Sequence, residues 1–119
     1  MASRDRLRGG ELNAALTDEL VGIQTGYLGR GPKTAFTFHR GNVVVTMMHD
    51  LLTKAEKILA QSGGHREVTN AHGLFRQQME GDLRAVVERL TGRKVLAFLG
   101  DNHTDPDVAA VIFILDDAV

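Results

Sequence analysis

Apolar residues recur at helical spacing in two long segments of the chain. They fall three or four positions apart from Leu12 to Tyr27, and again along a segment that we predict to run from about Arg66 to Thr91. This period places them on one stripe of an amphipathic helix, which needs another surface to bury against. Glycines follow both segments, and Gly92 suits the left-handed residue that often ends a helix. The pattern therefore predicts a first helix and a longer, last helix.

A shorter helix is predicted between these two. Thr53 and Glu56 have the spacing of a capping box, in which each side chain accepts a hydrogen bond from the backbone amide of the other residue. We place this helix from Lys54 to Gln61, because the Ser-Gly-Gly sequence that follows favours a break.

Four segments have the alternation or the β-branched, apolar composition that is typical of strands. In residues 33–39, the bulky Phe36 and Phe38 alternate with smaller side chains, and we expect the bulky side to face the core. The other three predicted strands are residues 43–48, 94–99 and 108–115.

The predicted order is α-β-β-α-α-β-β, which indicates an α+β fold. Because consecutive strands joined by short connections tend to pair, we expect a four-stranded, mostly antiparallel sheet with helices packed on one face. The strands at 43–48 and 108–115 are apolar on both faces. Three helices packed on one side of the sheet cannot cover the apolar side chains on the other side. We therefore expect a homodimer, or docking on a protein partner, through the second face or an edge. The alternative is that the first helix wraps round and covers that face.

Composition narrows the class of protein. At 119 residues and 43% hydrophobic content, the chain suits a single domain, placed at residues 11–119 after a flexible basic tail at 1–10. A net charge of -1 gives no attraction to nucleic acid or anionic lipid, so neither is an expected partner. The lack of cysteine excludes disulfides and thiolate chemistry and suits the cytoplasm, where we expect the protein. No apolar run approaches the roughly 20 residues of a membrane span, so no direct membrane insertion is expected.

Candidate anion ligands follow the first helix. The connection from Gly29 to Lys33 can present backbone N–H groups and the cations of Arg30 and Lys33 to a phosphate or carboxylate, and Arg93 can join them. It is not a P-loop, because the spacing and the Lys-Ser/Thr pair are missing. The alternative is a helix stop followed by a sharp turn.

A polar loop is predicted at residues 100–107, between the last two strands. Its candidate ligands for a divalent cation are Asp101, His103, Asp105 and Asp107. It is not a calcium-binding EF-hand loop, because His103 and Pro106 stand where that motif needs other residues. The alternative is an ordered connection in which Asp and Asn bond to their own backbone.

Catalysis has little support in the sequence. The dipeptide His49-Asp50 occurs in metal-dependent phosphohydrolases, and a hydrolase using it with His103 is the least favoured function. Only His65 and His72 are available as further ligands, and no serine stands in a nucleophile elbow. The alternatives are a helix-entry role for Asp50 and a partly buried, core-facing His72. We therefore predict no catalytic residues and no cofactor.

Five segments together resemble one known family. They are residues 29–32, 52–59, 66–79, 90–95 and 101–107. In order and spacing they are similar to the MpsC-like domain, named after a sodium-translocating, membrane-potential-generating system, and the likeness covers about Leu12 to Leu115. The resemblance implies a small bacterial or archaeal domain, an accessory or regulatory subunit with a membrane transport protein as possible partner, and it supplies no catalytic residues. The expected function is thus a non-catalytic interaction domain, and the alternative is a small-ligand, anion or metal-binding sensor.

Overall fold

A computed structural model describes residues 7–119 of the chain. Its helices are α1 (Gly9–Leu28), α2 (Lys54–Leu59) and α3 (His65–Thr91), and its strands are β1 (Thr34–Arg40), β2 (Val43–His49), β3 (Val95–Thr104) and β4 (Asp107–Leu115). A π-helical turn, Ala60–Gly64, joins α2 to α3. The predicted order of elements, α-β-β-α-α-β-β, is confirmed.

The four strands form one antiparallel sheet in the order β1-β2-β4-β3. The two hairpins, β1-β2 and β3-β4, are joined at the centre of the sheet through β2 and β4. This arrangement brings together the two most apolar strands, which is why both are enclosed by neighbours on either side. The predicted α+β class and sheet are confirmed.

The helix ends follow local signals in the sequence. Gly29 and Gly92 stand just after α1 and α3 with φ of 77° and 70°, in the left-handed region that glycine adopts without strain. At the start of α2, the Glu56 amide donates to Thr53 Oγ1 (3.1 Å) and the Thr53 amide donates to Glu56 Oε1 (2.8 Å). The predicted capping box is therefore present, although α2 ends at Leu59 instead of Gln61 because the π-helical turn begins there.

The start of α1 lies within the segment predicted to be a flexible tail. Residues 1–6 of that segment lie outside the described residues. The helix already begins at Gly9, inside the predicted boundary of residue 10.

The core lies between the sheet and the two long helices. Leu12, Leu16 and Leu20 of α1 are almost completely buried, and with residues of α3 they pack on the sheet side that carries Val44 and Phe113. Because α1 contacts both α3 and β1 on this one side, it does not wrap round to the other. The helices are packed on one face, as predicted.

Strand β1 is turned the other way from the prediction. Phe36 and Phe38 were expected to face the core, but they are 50% and 48% exposed, whereas Thr37 is buried. Helix α1 packs closely over β1, which favours small side chains on the covered side. The hydroxyl of Thr37 lies 2.8 Å from those of Thr17 and Thr46, so the buried polar atoms are paired.

The predicted loop at residues 100–107 is mostly strand. Strand β3 continues to Thr104, and a turn of only two residues, Asp105 and Pro106, leads into β4. The polar residues 101–103 pair with residues 108–110 of β4. Polar side chains are tolerated there because β3 is an edge strand with one open side.

Candidate functional site

The sheet side away from α1 and α3 is uncovered within residues 7–119. Its outward residues form four rows across β1, β2, β4 and β3, which together we call the outer face. The rows are Arg40-Val43-Ile114-Ala97, Phe38-Val45-Ile112-Leu99, Phe36-Met47-Ala110-Asp101 and Thr34-His49-Val108-His103. Along β2 and β4 these outward residues alternate with fully buried ones and are themselves only half-buried.

The middle of the outer face is apolar from one edge of the sheet to the other. At its edges Phe36, Phe38 and Leu99 are 50%, 48% and 53% exposed. The Phe36 ring stacks on those of Phe38 and His49, with centroids 6.2 Å apart in each case. The two phenylalanines thus form one continuous surface with the β-branched residues beside them.

Polar groups frame this apolar centre. Arg40 lies at one corner, and Asp101 lies near the opposite corner beside the row that holds Thr34, His49 and His103. An apolar centre with a polar rim is the usual anatomy of a protein interface.

The three predicted anion ligands do not meet. Arg30 and Lys33 lie before β1, where an Arg30 Nη2 donates to the Asp50 carbonyl (3.5 Å). Arg93 lies before β3, at the other end of the sheet, and its Nε donates to the Ala118 carbonyl (2.8 Å). The seven residues of β1 span about 20 Å between these two ends. Arg93 instead borders a separate cavity, with Arg8 and His39.

The four predicted metal ligands are spread over both sides of the sheet. Asp101 and His103 lie on the outer face, whereas Asp107 Oδ2 accepts from the Leu52 amide (2.9 Å) on the helix side. Asp105 lies in the turn, and it lines a cavity of about 450 Å³ together with Asp107. Within residues 7–119, no three His, Asp or Glu side chains are placed to hold one metal ion. The metal site stays a prediction without geometric support.

The residues of the hypothetical hydrolase do not form one cluster. His49 and His103 share a row of the outer face, but a residue of β4 lies between them. His49 packs on Phe36 at the outer face, and Asp50 has a φ of 60° and donates its amide to the Asp107 carbonyl (3.0 Å). His72 lies in the interior, 5% exposed, with Nε2 2.7 Å from Glu56 Oε2. The interpretation of His72 as a core-facing histidine is confirmed, and Asp50 precedes the helix without capping it, because Thr53 is the cap.

The contact between Glu56 and His72 ties α2 to α3 and perturbs the carboxyl group. Burial alone would raise the pKa of Glu56, but the hydrogen bonds from the Thr53 amide and from His72 outweigh it, so the pKa lies below its ordinary value. Glu56 therefore both caps α2 and anchors it to α3 as a carboxylate.

Sequence reasoning missed Phe36, Phe38 and Leu99 as residues of the site. It identified the excess of apolar side chains on β2 and β4 but assigned the phenylalanines to the core. The alternation of bulky and small side chains in β1 is the same whichever set faces the core. Only the packing of α1 on the sheet determines which set is buried.

The structure thus defines a small α+β domain with one apolar sheet face left uncovered by residues 7–119. Residues 8–117 match the family described as MpsC, Na+-translocating membrane potential-generating system. Since the match covers nearly the whole chain, the chain belongs to this family, as its resemblance predicted. No curated protein and no solved structure gives a significant match. None of the helices in the described part of the chain combines the length and apolar character of a membrane span.

Proposed function

We propose that this domain is a non-catalytic accessory component of a Na+-translocating, membrane-potential-generating system and works as a homodimer joined through its outer faces. The observation that carries the proposal is the apolar band from Phe38 to Leu99 across four strands. Removing apolar surface from water is worth about 25 cal/mol per Å². Covering this face therefore provides a driving force for association.

The dimensions of the face suit a second copy of the same chain. Four strands about 4.8 Å apart, each with about seven paired residues, give a surface of about 19 by 24 Å. Two such faces, treated as flat, bury about 900 Å² in total. This is close to the roughly 1,000 Å² expected of a specific interface, and protruding side chains add to it. Twisted sheets also pack well face to face, about 10 Å apart.

The charges of the face do not oppose this pairing. Arg40 is its arginine and Asp101 its aspartate, and these two opposite charges lie near opposite corners of the rows. Two copies can therefore meet over the apolar centre without a row of like charges at the contact.

The accessory and non-catalytic part of the proposal has separate support. The matching family is described as a Na+-translocating membrane potential-generating system. Of the residues considered for a hydrolase, His49 and His103 share a row of the outer face, but a residue of β4 separates them, and within residues 7–119 no group of three His, Asp or Glu side chains is placed to hold a metal ion. A chain without cysteine suits the reducing cytoplasm, where we propose that the domain acts.

Size-exclusion chromatography with light scattering tests the homodimer. We expect the unmodified chain to elute as a dimer, and both Phe38→Lys and Leu99→Lys to elute as monomers, because each places a charge at one end of the same apolar row. Leu74→Lys is the matched control, since Leu74 is 62% exposed but lies on α3, on the other side of the sheet.

Two results would contradict the homodimer. One is a monomer for the unmodified chain at high concentration, and the other is loss of the dimer in Leu74→Lys alone. If the monomer instead binds a purified component of the transport system and Phe38→Lys abolishes that binding, the face belongs to that partner and the self-association is wrong.

A further inference from the structure

A cavity of about 480 Å³ opens at the end of the sheet where α1 begins and α3 ends. Its volume lies within the range of about 300–1,000 Å³ that is common for small-molecule sites. Leu7 and Leu12 form an apolar part of the lining, and Arg8, His39 and Arg93 form a basic part. Among residues 7–119, no aspartate or glutamate lines it. The side chains that line the cavity thus carry positive charge in a protein whose net charge is -1, and Val119, the last residue of the given sequence, also lines it.

The guanidinium of Arg93 is held in place by its own neighbours. Its backbone amide donates to Thr91 Oγ1 (3.1 Å), and that hydroxyl donates in turn to the Val87 carbonyl (2.6 Å). Its Nε donates to the Ala118 carbonyl (2.8 Å). No contact within the described residues uses its two terminal nitrogens, which remain for an acceptor in the cavity. Arg93 is exposed, and this one hydrogen bond of its guanidinium restricts the orientation of the side chain before an anion binds.

His39 is oriented in a similar way. Its Nδ1 lies 2.8 Å from Asn13 Oδ1, and because the amide oxygen accepts, Nδ1 carries the hydrogen. Nε2 is then the remaining polar atom of the ring at the cavity. Since His39 alternates along β1 with the outward Phe38, it lies on the helix side of the sheet, away from the outer face.

We infer that this cavity binds a small organic anion, with a carboxylate or phosphate on Arg8 and Arg93 and an apolar group against Leu7 and Leu12. Arginine pairs with both anions through two parallel hydrogen bonds, and the leucines favour a ligand that is more than a bare ion. The inference is independent of the homodimer, because the cavity and the outer face share no residue.

Calorimetric titration at fixed salt tests the site with four probes: phenyl phosphate, benzoate, inorganic phosphate and phenol. We expect one of the two aromatic anions to bind more tightly than inorganic phosphate, and phenol not to bind. Tighter binding of phenyl phosphate assigns the site to phosphates, and tighter binding of benzoate assigns it to carboxylates. Arg93→Gln should weaken that binding by about tenfold or more, the usual effect of a lost charged hydrogen bond. Arg30→Gln, at the other end of the sheet, is the matched control and should bind as the unmodified chain does.

A second variant is needed because Arg93→Gln could lose binding through a folding defect. Arg8→Gln removes the other guanidinium that we assign to the anion. Because the Arg8 side chain makes no capping hydrogen bond to α1, this variant should weaken binding while leaving the melting temperature of the free protein nearly unchanged. The inference is overturned if neither aromatic anion binds. It is also overturned if Arg93→Gln and Arg30→Gln weaken binding equally, because that would indicate general charge attraction.

Discussion

The two faces of the sheet differ in a way that reverses the usual expectation. On β1, the face covered by helices carries the hydroxyl of Thr37, whereas the uncovered face carries Phe36 and Phe38. The covered face accommodates polar atoms because Thr17 and Thr46 pair with Thr37. Hydrophobicity alone therefore does not identify the buried face, since the space that a helix leaves and the pairing of polar groups also decide.

The largest expected effect is a difference in unfolding free energy between alanine substitutions at two neighbouring positions of β4, one on each face of the sheet. Phe113 is fully buried, so Phe113→Ala should lower the free energy of unfolding by about 3–5 kcal/mol through lost burial and a cavity. Ile112→Ala, on the outer face, should cost clearly less. Urea unfolding in a Phe38→Lys background, where we expect a monomer, measures both. Equal costs would mean that the outer face is covered within one subunit.

A smaller effect on stability is expected from two substitutions at neighbouring positions of β2, one that removes a hydroxyl group and one that introduces it. Thr46→Val removes a hydroxyl that is fully buried and bonded to Thr37, and should cost about 1 kcal/mol. Val45→Thr should hardly change the stability of the monomer but should weaken the dimer, because it places a hydroxyl in the apolar row. Unfolding curves and sedimentation equilibrium separate the two effects. An unchanged dissociation constant of the dimer in Val45→Thr would contradict the proposed interface.

The third effect appears only in acid and concerns the helix side. The folded-state pKa of Glu56 is lowered, so its contribution to stability is complete above the ordinary value of 4.5 and is lost as the pH falls through the folded value. Glu56→Gln keeps a capping side chain but cannot titrate. We expect the melting temperature of the unmodified chain to fall towards that of Glu56→Gln below about pH 4.5. If the melting temperatures of the two proteins kept a constant difference from neutral pH to below pH 4.5, ionised Glu56 would not contribute to stability in this way.

The smallest expected effect is on the outer face of the monomer. In a Phe38→Lys background, Leu99→Ser should change the free energy of unfolding by no more than about 0.5 kcal/mol, because the side chain is 53% exposed. Chemical denaturation provides the measurement. A cost comparable to that of Phe113→Ala would show that Leu99 is part of a hidden core.

The sequence predicts those features of the fold that depend on local signals. The leucine stripe from Leu12, the capping box of Thr53 and the helix end at Gly92 were all identified, because neighbours along the chain determine them. The direction in which β1 faces was wrong, since α1 decides it from 20 residues away, as the contact of Thr17 with Thr37 shows. The strand at residues 100–104 was also missed, because pairing with β4 overrides its polar composition.

The same limit applies to the candidate sites. Arg30 and Arg93 were grouped by charge, but the sheet places them at opposite ends. Arg93 instead meets Arg8 and His39, which are distant in the sequence and carry no motif that connects them. Spacing along the chain cannot reveal a cavity formed where separate elements end.

The alternation along β2 also gives two adjacent methionines different exposure to solvent. Met47 lies on the outer face beside Phe36, whereas Met48 is only 4% exposed beneath the helices. Oxidation of a thioether to the sulfoxide makes a flexible apolar side chain polar. In a dissociated subunit, an oxidant therefore reaches Met47 before Met48 and alters the surface that two subunits would share, whereas in the proposed dimer the partner would cover Met47 as well.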